Sequence, residues 1–144
     1  MNGEHDLTTI LRALSPALSD EEFVFLSIPG ARYGDHASLA PVVSVAERDG
    51  LTLVVPKTRA DDADLPYGGV FRQITLQVHS SLEACGLTAT ISTALADRGI
   101  SANIVAGTRH DHLFVRSAQA QEAVKTLHRL SQATKRPKDL RSQR

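Results

Sequence analysis

The sequence predicts an α+β fold in which a small antiparallel sheet carries its helices on one face. Three observations lead there. Ile74, Leu76 and Val78 alternate with Thr75, Gln77 and His79, the period-2 pattern of a half-buried strand. Leu87, Ile91 and Leu95 then recur every four residues among Ala and Thr, so one side of a helix can lie on the strand's apolar face. Glycines punctuate this helix, Gly86 before it and Gly99 where a C′ glycine stops a helix.

The remaining elements of the C-terminal half follow in order. Ile100, Ala102, Ile104 and Ala106 alternate with Ser101, Asn103, Val105 and Gly107 in a second strand, and a turn over 108–111 leads to a third at His112 to Val115. Ser117 is placed to cap a last helix with the buried stripe Ala120, Val124, Leu127 and Leu130. Strand, helix, strand, strand, helix is the ferredoxin-like split order without its final strand.

In the N-terminal half, Asp6 can cap a short helix with the stripe Leu7, Ile10, Leu11 and Leu14, ended by Pro16. Phe23 to Ile28 is an apolar run of strand length, and 29–41 is an irregular loop with two glycines and two prolines. Val43 and Val45, then Asp49-Gly50, then Leu51, Leu53 and Val55 read as a hairpin. A helical turn is expected over 58–64. These elements suggest an N-terminal lobe over 1–66, a linker over 67–70, a C-terminal lobe over 71–133 and a disordered basic tail over 134–144. The two lobes are expected side by side, with Leu51 to Val55 bordering the C-terminal sheet.

Composition excludes several classes. A single cysteine, Cys85, leaves no internal disulfide framework and no Cys-based zinc site, and suits a reducing, cytoplasmic setting. No apolar stretch approaches the ~18 residues of a membrane span, so no membrane partner is expected. Sixteen basic residues against sixteen acidic ones argue against a nucleic-acid-binding body. From Lys135 on, however, five basic residues face only Asp139. That tail reads as a solubilising segment, with an electrostatic contact to RNA or an acidic partner as the alternative.

Three polar features are candidates for chemistry. In a ferredoxin-like sheet the first and third strands are antiparallel neighbours, so His79 approaches His110 and His112, with Asp111 beside them. These are turn or interface histidines, contacts to an organic ligand, or a metal site. The last needs side chains converging at about 2.0–2.2 Å from one ion, whereas alternate strand residues stand ~7 Å apart at the backbone. Cys85, with no base assigned to it, reads as packing and not as a nucleophile. Arg32 to His36 is polar enough to line a site, as many surface loops are.

The strings VHSSLEACGLTA and SANIVAGTRHDHLFV, with GLTATISTALADRGISANIVAG between strand and hairpin, resemble a family of bacterial tandem ACT-domain proteins of unassigned function. That family is distantly related to CASTOR-type arginine sensors and to the ACT parts of amino-acid-regulated enzymes. The resemblance implies a small-molecule-binding regulatory or sensor protein whose ligand is a free amino acid, with no cofactor and no catalytic residue. It places the ligand at the first strand-to-helix turn and the neighbouring second strand, on Ser81, Leu82, Glu83, Gly86, Leu87, Asn103, Ile104 and Val105, to which His110, Asp111 and His112 are added from the histidine cluster. The helix start there offers free N–H groups and a favourable dipole for a carboxylate. A homodimer is expected, because the sheet has an uncovered face and an open edge at Asn103 to Val105. The alternative functions are a metal-binding or catalytic protein built on His79, His110, Asp111 and His112, and a purely structural assembly partner.

Overall fold

The structure is a computed structural model and describes residues 3–135. The elements are α1 (Leu7–Arg12), β1 (Pro16–Pro29), a 3-10 turn (Ala37–Leu39), β2 (Val43–Glu47), β3 (Gly50–Pro56), α2 (Lys57–Asp62), β4 (Phe71–Leu76), α3 (Leu87–Ala96), β5 (Ala102–Ala106), β6 (Asp111–Arg116), a second 3-10 turn (Ser117–Gln119) and α4 (Ala120–Lys135). The chain divides into two compact units, one of residues up to Ser19 with those from Gln73 on, the other Asp20–Arg72. The basic tail beyond 135 lies outside the described residues.

In the first unit the strands run β4-β6-β5, leaving β5 at an edge. Ile74 and Leu76 of β4, Leu113 and Val115 of β6, Leu87, Ile91 and Leu95 of α3, and Ala120, Ala123 and Leu127 of α4 form one core. Ile10, Leu11 and Leu14 of the N-terminal segment complete it. Asp6 caps α1 as its sequence suggests, with the Thr9 N–H and hydroxyl both donating to Oδ2, at 2.9 and 2.7 Å. The helix stops at Ala13, short of Pro16, because Ser15 takes a left-handed conformation (φ +46°).

Two expectations for this unit are corrected. The strand beside β4 is β1, which begins here at Pro16, and not Leu51 to Val55. The Gln77 N–H bonds the Leu14 and Ser15 carbonyls at 3.1 Å each, and the Ser15 hydroxyl donates to Gln77 Oε1 at 2.9 Å. Ser117, for its part, opens a 3-10 turn without capping α4; its Oγ is buried and has no hydrogen-bond partner.

The second unit carries the order β2-β3-β1. Antiparallel registers Leu26↔Leu53 and Val24↔Val55 put those four side chains on one face, where they form a core with Leu39, Leu51 and Ala60. The hairpin forms at Asp49-Gly50, and Gly50 takes φ +154°, where a Cβ would collide with the Ile28 carbonyl oxygen. β1 is longer than its apolar run: it also carries Asp20, Glu21 and Glu22, all exposed, before the buried Phe23 and Val24. Hydropathy found only the buried end of this strand.

Candidate functional site

The candidate site lies at the C-terminal end of β4. That strand ends at Leu76, before Val78 and His79, and the chain then runs to α3 through a turn pinned from outside by the N-terminal segment. The Glu4 N–H donates to the His79 carbonyl at 2.8 Å, and the Ser81 N–H donates to the Glu4 carbonyl at 2.9 Å, a one-residue parallel bridge. Gly3 lies so close to the Ser80 backbone that any Cβ there would collide. Inside the turn, the Glu83 N–H donates to Ser81 Oγ at 3.0 Å and the Ala84 N–H to the Ser81 carbonyl at 3.0 Å.

Gly86 then takes φ +96° and opens α3 with no side-chain cap. The first bond within the helix runs from the Thr90 N–H to the Gly86 carbonyl, so the N–H groups of Leu87, Thr88 and Ala89 have no intrahelical partner. A side chain at Gly86 would press on a Leu7 methyl, 3.1 Å from its Cβ position. Leu87 itself faces the core, while Leu82 and Glu83 are exposed.

Across the sheet, β5 pairs with β6 in the register Asn103↔Phe114, Ile104↔Leu113, Val105↔His112 and Ala106↔Asp111. Since opposed residues share a face, Ile104 turns with Leu113 toward the core, while Asn103 and Val105 share the other face with Phe114 and His112. The Asn103 amide is engaged within the hairpin, donating to the Phe114 carbonyl at 3.4 Å. Asp111 meets the turn directly: the buried Ser80 hydroxyl donates to its Oδ2 at 3.2 Å.

His112, on β6, meets β4 further from its C-terminal end than expected, at Gln73 and Thr75. Its Nδ1 lies 3.1 Å from the Gln73 amide nitrogen and 3.0 Å from the Thr75 hydroxyl, within hydrogen-bond distance of both. Burial, then the proximity of His110, holds its pKa below the usual value, with Asp111 opposing. His79 is placed differently: its Nε2 is buried without a hydrogen-bond partner. Among the described residues no three His, Cys, Asp or Glu side chains converge to hold a metal ion.

Sequence reasoning missed Glu4, Gln73 and Thr75. The last two were visible as the polar members of the alternation that runs on through Gln77. Nothing marked Glu4, whose role is made by backbone. Cys85 is exposed, which corrects the expectation that it packs. The Arg32 to His36 loop closes on itself, the Arg32 N–H donating to Asp35 Oδ2 and the Asp35 N–H to the Arg32 carbonyl, both at 2.9 Å.

Residues 2–72 and 70–129 each match a family model described as ACT domain. A solved Vibrio cholerae protein of unknown function, VC0802, described as a possible transport protein, is 42% identical over 87% of this chain and 95% of its own, with a TM-score of 0.79. The chain belongs to the tandem ACT-domain family. ACT domains are regulatory modules and not catalytic ones. The regulatory subunit of aspartate kinase from Thermus thermophilus, in a ligand-free form, shares the fold at 13% identity, a TM-score of 0.60, and coverage of 82% of this chain and 97% of its own. Clostridium acetobutylicum aspartate kinase shares it at 14% identity and a TM-score of 0.60 over 80% of this chain, which spans only 34% of that enzyme. A search of curated proteins finds no match.

The first ACT segment and the Asp20–Arg72 unit do not coincide. Residues 3–19 of the tandem ACT protein fall in the first family match, yet they pack with the second family segment.

Proposed function

We propose that this tandem ACT protein is a regulatory module, not an enzyme, that binds a free amino acid at the β4–α3 turn and the β5 edge. The observation that carries the reading is the uncapped start of α3 at a left-handed Gly86, in the unit where β5 forms an open sheet edge and Asp111 meets the turn. The N–H groups of Leu87 and Thr88 receive the ligand carboxylate. Glu83 or Asp111 takes the ammonium group, and the backbone of Asn103, Ile104 and Val105 offers edge hydrogen bonds. Ser81 and Leu82 border the ligand, as do His110 and His112 from the neighbouring strand. The fold shared with regulatory subunits of aspartate kinase supports the assignment.

The same reading includes a cytoplasmic homodimer in which each chain carries two ACT lobes joined by a linker at residues 67–70. Among the described residues no helix is long and apolar enough to cross a membrane.

Thermal-shift screening of the amino acids tests the proposal, since a ligand at 100 times its dissociation constant adds about 2.7 kcal/mol to folding. At least one amino acid is expected to raise the melting temperature, with the shift reduced in Glu83→Gln. No shift from any amino acid or small carboxylate at millimolar concentration would leave the structural-partner reading in its place.

A further inference from the structure

One short stretch of chain holds the β4–α3 turn from outside at both of its ends. At Ser80 the hold is the Glu4 bridge, two main-chain hydrogen bonds of 2.8 and 2.9 Å, with Gly3 close against the Ser80 backbone. At Gly86 it is the Leu7 methyl. Gly3, Glu4 and His5 give no side chain to the apolar core. Glu4 and His5 are exposed, and the Glu4 carboxylate turns back on its own segment, Oε1 accepting from the His5 and Asp6 N–H groups at 3.1 Å each. Helix α1 is held independently, by Ile10 and Leu11 in the core and by its own Asp6 cap. Residues 3–5 can therefore leave the turn while α1 stays in place.

Two features make such a release inexpensive. The bridge consists of main-chain hydrogen bonds of modest net worth, set against the entropy of ordering the segment that makes them. The closed turn also carries a cost of its own: His79 Nε2 is buried with no hydrogen-bond partner. That nitrogen gains a partner when water reaches it, so His79 favours an open turn, whereas the buried Ser80 hydroxyl on Asp111 favours a closed one. Opposed contributions of this kind, at an exposed end of the fold, are the ingredients of local opening without global unfolding.

We propose that residues 3–5 are a latch on the β4–α3 turn. Docked, they hold the 80–86 turn shut over His79; released, they let it open as a unit while α1, α3 and the sheet stay folded. Opening frees the Ser81 N–H and the His79 carbonyl and brings His79 Nε2 to water. The latch itself needs no ligand; as a control on access to the ligand site proposed above, it rests on that reading.

Amide hydrogen exchange on the full chain, resolved by nuclear magnetic resonance, reads the latch directly. In the parent, the Ser81 and Ala84 amides are expected to share one protection factor that low urea leaves unchanged, the mark of local opening. Gly3→Val, whose side chain cannot fit against Ser80, should speed both by about tenfold or more and leave the Ile10 and Ile100 amides at parent rates. Glu4→Pro, which lacks the N–H that bonds the His79 carbonyl, should do the same by another route. Carbethoxylation by diethyl pyrocarbonate, mapped by mass spectrometry, should reach His79 about tenfold faster in both variants, with exposed His128 reacting as in the parent. Ser81 exchange in the parent only through global unfolding, unchanged Ser81 exchange in both variants, or parent-rate modification of His79 in both would each overturn the latch. If an amino acid still raised the parent's melting temperature, the ligand site at the turn would stand without it. A latch that passes while no amino acid shifts the melting temperature would stand alone and remove the ligand site instead.

Discussion

The two units use the same kind of sheet and cover it in different ways. In the first, α3, α4 and α1 contribute to a core of fourteen buried side chains among the described residues. In the second, seven suffice, and the covering elements are the six-residue α2, giving Ala60, and a 3-10 turn, giving Leu39. A well-covered sheet face can hold a site at its edge, on backbone groups positioned by long helices. A thinly covered unit carries charged side chains around a surface concavity, lined by Asp20, Glu21, Glu22, Lys57, Thr58 and Arg72.

Core truncation tests that contrast with the largest expected effect. Leu95, fully buried on α3, should cost about 3–5 kcal/mol when changed to Ala, measured by urea unfolding. Leu39→Ala, on a turn free to relax into the space left, should fall near the lower end of the usual range, about 2 kcal/mol. Equal losses would mean that the second unit is packed as rigidly as the first.

The second unit's dependence on backbone can be sharpened at two glycines. Gly50→Ala should destabilise by about 1–3 kcal/mol, because the unusual φ is joined by collision with the Ile28 carbonyl. Gly34→Ala, at φ +98° but with open space around it, should cost only about 1 kcal/mol. If the two match, close approach contributes nothing at the hairpin.

In the first unit, Asp6→Ala removes the α1 cap and should cost about 1 kcal/mol, with faster amide exchange at Ile10. The smallest effect is a slope with pH. His112 has its folded pKa below the usual 6.5, so between 6.5 and that lower value the unfolded chain takes up a proton that the folded chain refuses. Its contribution is complete above 6.5 and is lost as pH falls through the folded pKa. The melting temperature should therefore drop between pH 7.5 and 5.5, and His112→Gln should flatten that part of the profile. An unchanged profile would show that burial of His112 does not govern it.

Much of the fold was legible because local chemistry and tertiary need agree. Asp6 as a cap, Gly99 with φ +73° past α3, the Asp49-Gly50 hairpin and the every-fourth-residue stripe of α3 each carry their own reason in neighbouring residues. Where the reason lies far along the chain, legibility stops. Ser117 has the side chain of a cap but meets a 3-10 turn, and the acidic stretch Asp20 to Glu22 within β1 has no strand pattern at all. The candidate site divides the same way: Gly86 and the start of α3 are local, whereas the Ser80–Asp111 contact and the Gln73–Thr75–His112 bonds need the strand register.

By itself the sequence determined most of the secondary elements and their apolar faces, since these depend on residue spacing within about twenty positions, while the ACT character came from the resemblance of whole strings to a known family. Only the tertiary structure decided that residues 3–19 pack with the C-terminal elements and that β1 lies beside β4. It also decided that Glu4 pins the turn leading to α3. Each of these joins groups far apart along the chain through main-chain hydrogen bonds or buried apolar contacts. Every residue type offers the same main-chain donors and acceptors, so no side-chain pattern announces such pairings.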